Sequence, residues 1–214
     1  IKMDEMKRIF LIVFSLSFFW SGNILAQDAE EEAYRVHGKD TVFPLRDGRF
    51  ILNEKIYKQN SPYLTLAYGA GMNHKKSTIE QNLLISYHHF INNIGLTIGY
   101  HASSDIQVWW RSYQKQNDLY LGAGKRFEGL RYNIGLFAGP SLAYGSYIDW
   151  SEEDGENRAF GYNALGGFAE IQMTYRIFYD IGVGLSLYGS YNKYYTVSGA
   201  QIHLFFSTAY VREY

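Results

Sequence analysis

The stretch that decides the fold runs Tyr132-Asn133-Ile134-Gly135-Leu136-Phe137-Ala138-Gly139-Pro140-Ser141-Leu142-Ala143-Tyr144. Tyr132, Ile134, Leu136, Ala138, Leu142, Tyr144 and, farther on, Ile148 share one parity. Asn133, Gly135, Phe137, Gly139, Ser141, Ala143 and Gly145 share the other. Side chains alternate across a β-strand, so this segment has one continuous apolar face and one face that is mostly small or polar. A helix would scatter both sets around its circumference. Ile181 to Asn192 repeats the pattern, with Ile181, Val183, Leu185, Leu187 and Tyr191 against Gly182, Gly184, Ser186, Tyr188, Ser190 and Asn192.

Working outward, eight such segments are predicted, at about 62–72, 82–91, 94–103, 117–127, 130–147, 160–177, 180–192 and 198–211. Asn92-Asn93, Glu128-Gly129 and Phe178-Tyr179 read as brief hairpin turns, whereas the connections at 73–79, 104–116, 149–159 and 193–197 are longer. An even number of strands with short turns on one side and long loops on the other is the pattern of an up-and-down membrane barrel. Both ends of the strand array then fall on the short-turn, periplasmic side.

Composition agrees. The 214 residues are 47% hydrophobic and 18% aromatic, yet mean hydropathy is only −0.25, too low for a bundle of membrane helices. With 20 Tyr and 14 Phe the chain is not disordered, and 21 Gly against 3 Pro favours strands and tight turns. Lys and Arg (20) balance Asp and Glu (21), so no basic excess points to a nucleic-acid partner. There is no cysteine, which excludes disulfides and thiolate chemistry.

The N-terminal part reads as an export signal. Met6-Lys7-Arg8 is a basic start, and Ile9 to Trp20 is an uncharged run of 12 residues, too short for a helix to cross a bilayer. Residues 6–27 are therefore expected to be a cleaved signal peptide, with Ile1 to Glu5 upstream of the start at Met6. Residues 28–61 read as a polar N-terminal extension on the periplasmic side, loosely ordered or lying against the main domain. The barrel is expected over 62–214.

The alternation leaves open which face meets which medium until export and closure are considered. A closed ring satisfies every backbone group that lipid cannot, so the apolar parity is placed in lipid and the small, polar parity in the lumen. Thr65, Ser86, His88, Thr97, His101, Gly122, Gly124, Gly182, Gly184, Ser186 and Ser207 would line that lumen. Tyr68, Tyr87, Tyr100, Tyr132, Tyr144, Tyr175, Tyr191 and Tyr210 would face outward, many at the membrane interfaces. The fold class is thus all-β: an eight-stranded antiparallel up-and-down transmembrane barrel. Residues 62–214 resemble the small eight-stranded outer-membrane barrels of the OmpA/OmpX type. The Leu25-Ala26-Gln27 exit, the Tyr- and Gly-rich strands and the aromatic terminus are similar to Bacteroidota versions of that domain. The resemblance implies residence in the bacterial outer membrane, contact with its lipid and lipopolysaccharide, and insertion by the barrel-assembly machinery with the final strand as signal.

Several residues carry candidate chemistry. Arg126, Glu170, Arg176 and His203 are charged or titratable on the inward parity. Pairing around the last turns is expected to set Glu170 level with Tyr188, and Tyr188 level with Gln201 or His203, as a polar row that plugs the lumen. A narrow channel is the alternative use of such a row. His101 and Ser103 share a face and resemble the His-x-Ser element of outer-membrane lipid A deacylases, so a lipid-modifying hydrolase is a second alternative. In that family the element lies on the penultimate strand, whereas His101 and Ser103 lie on the third. His88-His89 point to opposite faces and make no metal site. Glu152, Glu153, Asp154 and Glu156 form an acidic loop that reads as solvated, with Ca²⁺ binding as its alternative. Trp109, Trp110, Arg111 and Tyr113 fall in the 104–116 loop, either as a partner-binding surface or as an aromatic girdle. No cofactor is implied.

Overall fold

In the computed structural model, which describes residues 35–37, 40–91, 94–105, 115–149 and 158–213, the expected strands form and close. The barrel strands are β5 (Tyr63–Asn73), β6 (Thr78–Ile91), β7 (Ile94–Asp105), β8 (Lys115–Glu128), β9 (Tyr132–Asp149), β10 (Arg158–Arg176), β11 (Ile181–Asn192) and β12 (Thr196–Ser207). Each pairs antiparallel with its neighbours in sequence, and β12 returns to β5. That closing ladder runs from Val197 opposite Asn73 to Ser207 opposite Tyr63. Pro140 has no N–H to give, and the β8–β9 ladder lapses where Gly139 and Pro140 would face Leu121 and Gly122.

Parity follows the sequence. Along β5, Tyr63, Thr65 and Ala67 are buried while Leu64, Leu66 and Tyr68 are exposed, and the same alternation runs through β6 and β7. Exposed large apolar residues, Leu165 at 82% among them, clothe the outside. That is the reverse of a soluble barrel and the expected face for lipid. The strands reach farther than periodicity alone shows. The β5–β6 connection shrinks to residues 74–77 and the β11–β12 connection to 193–195, so these two loops are short, while the β7–β8 and β9–β10 connections stay long.

Inside, large rings pack against residues with no Cβ. Tyr120 and Phe168 stack with centroids 4.1 Å apart, and a Cβ on Gly99 would overlap the Tyr120 ring. A Cβ on Gly71 would likewise overlap the Tyr188 hydroxyl. Eight strands leave an interior only wide enough for side chains, so each large residue needs a small one across from it.

The N-terminal segment and the C-terminus depart from expectation together. Within 28–61, β1 (Arg35–His37), β2 (Asp40–Pro44), β3 (Arg49–Leu52) and β4 (Lys55–Lys58) form a meander, and β13 (Tyr210–Glu213) adds to β4 as a fifth strand. Asn53 and Glu54, both with φ near +60° (50° and 66°), make the two-residue β3–β4 turn. The segment read as a polar extension is thus ordered into a sheet over its described part. The final barrel strand ends at Ser207, not at residue 211, and Tyr210 lies opposite Tyr57 in the small sheet, off the lipid face. Periodicity missed this break because β13 is itself a strand and continues the alternation past the bend at Thr208-Ala209. Phe50, Tyr57, Tyr179 and Ala209 form the apolar contact between the sheet and the short-turn end of the barrel.

Replacing Gly99 by Leu forces the Tyr120 ring out of place. Overpacking of this kind costs about 1–3 kcal/mol. The temperature at which folded and unfolded bands interconvert on unboiled gels should fall accordingly; an unchanged transition would show that the lumen has slack at this level.

Candidate functional site: the barrel lumen

The inward parity builds three tiers of polar side chains. At the short-turn end of the barrel, Arg126 from β8 and Arg176 from β10 converge on Glu128, with Nη2 to carboxylate distances of 2.7 and 2.6 Å. Both guanidinium side chains are 1% exposed. Glu128 also accepts from the Asn60 backbone N–H at 2.8 Å and from the Tyr179 hydroxyl at 2.7 Å. Burial, and then the Glu128 carboxylate beside it, push the Tyr179 phenol up, so it stays protonated and donates. Arg126 gives a further bond to the Ser61 carbonyl and lies 4.2 Å over the Phe90 ring. Arg176 bonds the Gly129 carbonyl and lies 4.2 Å over Tyr179. One carboxylate thus holds two buried cations and fastens the segment after β4 to the barrel.

The middle tier centres on Glu170 and Gln172. Tyr63 donates to the Gln172 amide oxygen at 2.9 Å, and the Gln172 amide nitrogen donates to Glu170 at 3.0 Å. His88 Nε2 lies 3.8 Å from Glu170 and 2.9 Å from the Ser86 hydroxyl, its ring stacked on Tyr63. His203 sits between the hydroxyls of Thr174 and Ser186, at 2.9 and 2.7 Å.

Toward the opposite end, where the long connections lie, are two more carboxylates. Asp118 bonds Ser190 at 2.8 Å, His101 Nδ1 at 3.2 Å and the Gln116 amide. Glu80 accepts from Ser103 at 2.6 Å and from Asn73 at 2.9 Å.

Measured against expectation, Glu170 is level with Tyr188. Tyr188, however, lies opposite Gly199, while Gln201 faces Ser186 and His203 faces Gly184. The three-strand row therefore does not form: Gln201 bonds Asn82 at 2.8 Å, and the Tyr188 hydroxyl is buried without a hydrogen-bond partner. The expected connection, 193–197, is longer than the real one, 193–195, and each residue of slack moves the opposite register. Arg126 and Arg176 are brought together, but by Glu128, which reads in sequence as part of a turn. Glu80 and Asp118 were missed for a related reason, since both lie at strand ends beyond or just at the periodic segment. Extending the inward parity a few residues along β6 and β8 would have found them.

The hydrolase constellation is not assembled. His101 and Ser103 do share a face, but they bond different carboxylates on different neighbouring strands, and both are buried in the lumen rather than set at the lipid boundary. The Ser103 hydroxyl donates its hydrogen bond to the Glu80 carboxylate and not to an imidazole. His88 is buried and His89 exposed, on opposite faces. Among the described residues no group of three or more His, Cys, Asp or Glu side chains is arranged to hold a metal ion. The acidic loop (Glu152, Glu153, Asp154, Glu156) and the aromatic loop (Trp109, Trp110, Arg111, Tyr113) lie outside the described residues.

No family model matches the sequence, and no curated protein matches it. Solved structures do match. Neisserial surface protein A superposes with a TM-score of 0.52 at 13% identity, over 68% of this chain and 95% of that one. The N-terminal β-barrel domain of Pseudomonas aeruginosa OprF gives 0.50 at 15% identity, over 69% of this chain and 97% of that one. The fold is that of the small eight-stranded outer-membrane barrels. At these identities the likeness is one of fold, and the tiers inside this outer-membrane-type barrel are described from its own residues.

Removing the Glu128 carboxylate leaves two buried guanidinium groups without a counter-charge. Unpairing a buried ion costs about 3–5 kcal/mol. Glu128→Ala should therefore lower the urea midpoint of the barrel markedly, with Glu128→Gln losing less because it keeps an acceptor. Equal stability of wild type and Glu128→Ala would show that the hub is not holding the short-turn end.

Proposed function

We propose that the protein is an integral barrel of the bacterial outer membrane whose lumen is closed by its own side chains, and whose role is structural or surface-presenting. The observation that carries this reading is the filled interior. Arg176, Tyr63, Tyr120, Phe168, His88, His101, His203 and Gln172 are each buried to below 2% exposure inside a ring whose outer face is apolar. A solute path would have to pass all three tiers, including the Tyr120–Phe168 stack. The barrel-like fold of the two similar structures and the export signal read at 6–27 support the location.

On this reading the partners are outer-membrane lipid and lipopolysaccharide around the barrel, and the barrel-assembly machinery during insertion. A protein partner would meet the extracellular loops, with Trp109, Trp110, Arg111 and Tyr113 as its anchors. The lumen does no chemistry, and no cofactor is needed.

Two measurements test this. Unboiled and boiled outer-membrane fractions should give bands of different mobility, as a closed barrel resists detergent unfolding, and a single unshifted band would remove the membrane-barrel reading. In planar bilayers the folded protein should leave the baseline current unchanged. A stable open conductance would replace the closed lumen by the narrow channel.

A further inference from the structure

On the outer face, polar side chains gather in one sector near the extracellular end. Gln81 on β6 lies opposite Ser104 on β7, which lies opposite Lys115 on β8. One level lower, Asn117 lies opposite Tyr144 on β9, which lies opposite Asn163 on β10. They are linked: Tyr68 donates to Gln81 at 3.3 Å, Gln81 to Ser104 at 3.4 Å, and Tyr100 to Asn117 at 2.6 Å. Lys115 stands among them exposed and without an ion-pair partner among the described residues.

Two open clefts flank Lys115. One, of about 360 Å³, lies between Lys115, Asn117, Tyr144 and Asn163, where Gly145 and Gly161 leave the floor bare. The other, of about 370 Å³, lies toward Tyr68, Gln81 and Ser104. Immediately below on the same face are Leu119, Leu142 and Leu165, all exposed. Polar donors and a cation thus sit directly above an aliphatic surface.

The depth of Lys115 fits that arrangement. Lys125 is the other outward lysine of β8, its ammonium 5.4 Å from the outward Phe127 ring. Ten residues at about 3.4 Å rise and about 40° tilt separate the two by roughly 25 Å along the membrane normal, the height of a barrel's apolar band. A lysine is tolerated on the lipid face only near the edges of that band. Lys115 and Lys125 therefore mark its two edges, and Lys115 stands at the level of the outer-leaflet headgroups.

We propose that the Lys115 sector binds the phosphate of an outer-leaflet lipid headgroup, with the lipid's acyl chains lying over Leu119, Leu142 and Leu165. The ammonium supplies the counter-charge, and the Asn117 and Asn163 amides supply neutral donors to phosphate oxygens or headgroup hydroxyls. The aliphatic surface underneath selects a lipid over a free anion. This inference rests on the outer-membrane reading above.

The test uses the full chain, folded in detergent and titrated with phosphatidic acid or with diacylglycerol of the same acyl chains, with bound lipid counted by native mass spectrometry. Phosphatidic acid should bind, diacylglycerol should bind far less, and millimolar inorganic phosphate should not displace the lipid. Lys115→Ala should weaken phosphatidic acid binding about tenfold, the scale of losing one charged hydrogen bond. Lys115→Arg should retain it, and Lys125→Ala should leave it unchanged. Gly161→Leu fills the cleft from an open position, its Cβ meeting only the Gly145 carbonyl oxygen at 3.9 Å, and should weaken binding without lowering stability. Equal binding of the two lipids, or no effect of Lys115→Ala in a protein that shows the folded-barrel mobility shift, overturns the site alone. Displacement by inorganic phosphate overturns the choice of a lipid. Absence of the mobility shift overturns the outer-membrane reading and this inference with it.

Discussion

The structure depends on the return of β12 to β5. Lipid offers no hydrogen-bond partner, so a membrane sheet with a free edge would leave a row of N–H and C=O groups unpaired at several kcal/mol each. The Val197–Ser207 to Asn73–Tyr63 ladder removes both edges at once. It also fixes parity for the whole ring. A slip of one residue between β12 and β5 would turn His203 and Gln201 into lipid and Ile202 and Leu204 into the lumen, so closure and side-chain assignment are the same constraint.

Closure at eight strands then dictates what the interior can be. An eight-stranded ring leaves an interior about wide enough for side chains, and the inward parity is too polar for an oily core, so the inward residues pair with one another. They do so in tiers, each with a carboxylate at its centre: Glu128 between two guanidiniums, Glu170 beside Gln172 and His88, Asp118 and Glu80 among amides and hydroxyls. Among the described side chains, the lumen cations Arg126 and Arg176 both sit at the short-turn end. Farther out, the partners are neutral donors or histidines, which suits groups held in place for packing rather than for a transmembrane field. The Glu128 hub has an added consequence. Because it also takes the Asn60 N–H, while Tyr179 packs on Phe50 and Tyr57, the small sheet and the barrel share one set of contacts. Their stabilities should be coupled.

What could be read from sequence divides along a physical line. The number of barrel strands, their parity and the placement of the apolar face outward follow from period-2 alternation, which is local, and they appear in the structure as read. Register across turns is not local. Tyr188 was set against 201 or 203, yet faces Gly199, an even displacement that preserved its inward parity while changing its partner. Alternation is also blind to a bend, so the residues of β13 were counted with the last barrel strand, although Thr208 and Ala209 turn the chain onto β4. Glu128 escaped notice because a charged residue beside Gly129 looks like turn punctuation; only its inward parity, continued from Arg126, distinguishes it.

The carboxylates of the interior are held by their neighbours, although among the described residues several inward atoms, the Tyr188 hydroxyl and the Asn133 amide included, have no partner. The lumen tiers are buried and mutually bonded, so a ligand entering there would have to displace packed rings and break charge-assisted bonds with nothing equivalent to offer. The outward face carries no such internal demand. Along most of it the side chains are apolar and interchangeable for lipid, but a lysine with amides and hydroxyls around it is a costly thing to place there unless its surroundings supply charge and hydrogen bonds in return. In a membrane the only group at that depth that supplies both is a headgroup. Depth along β8, rather than any motif, is therefore what gives Lys115 a meaning that the same residue on a soluble strand would lack.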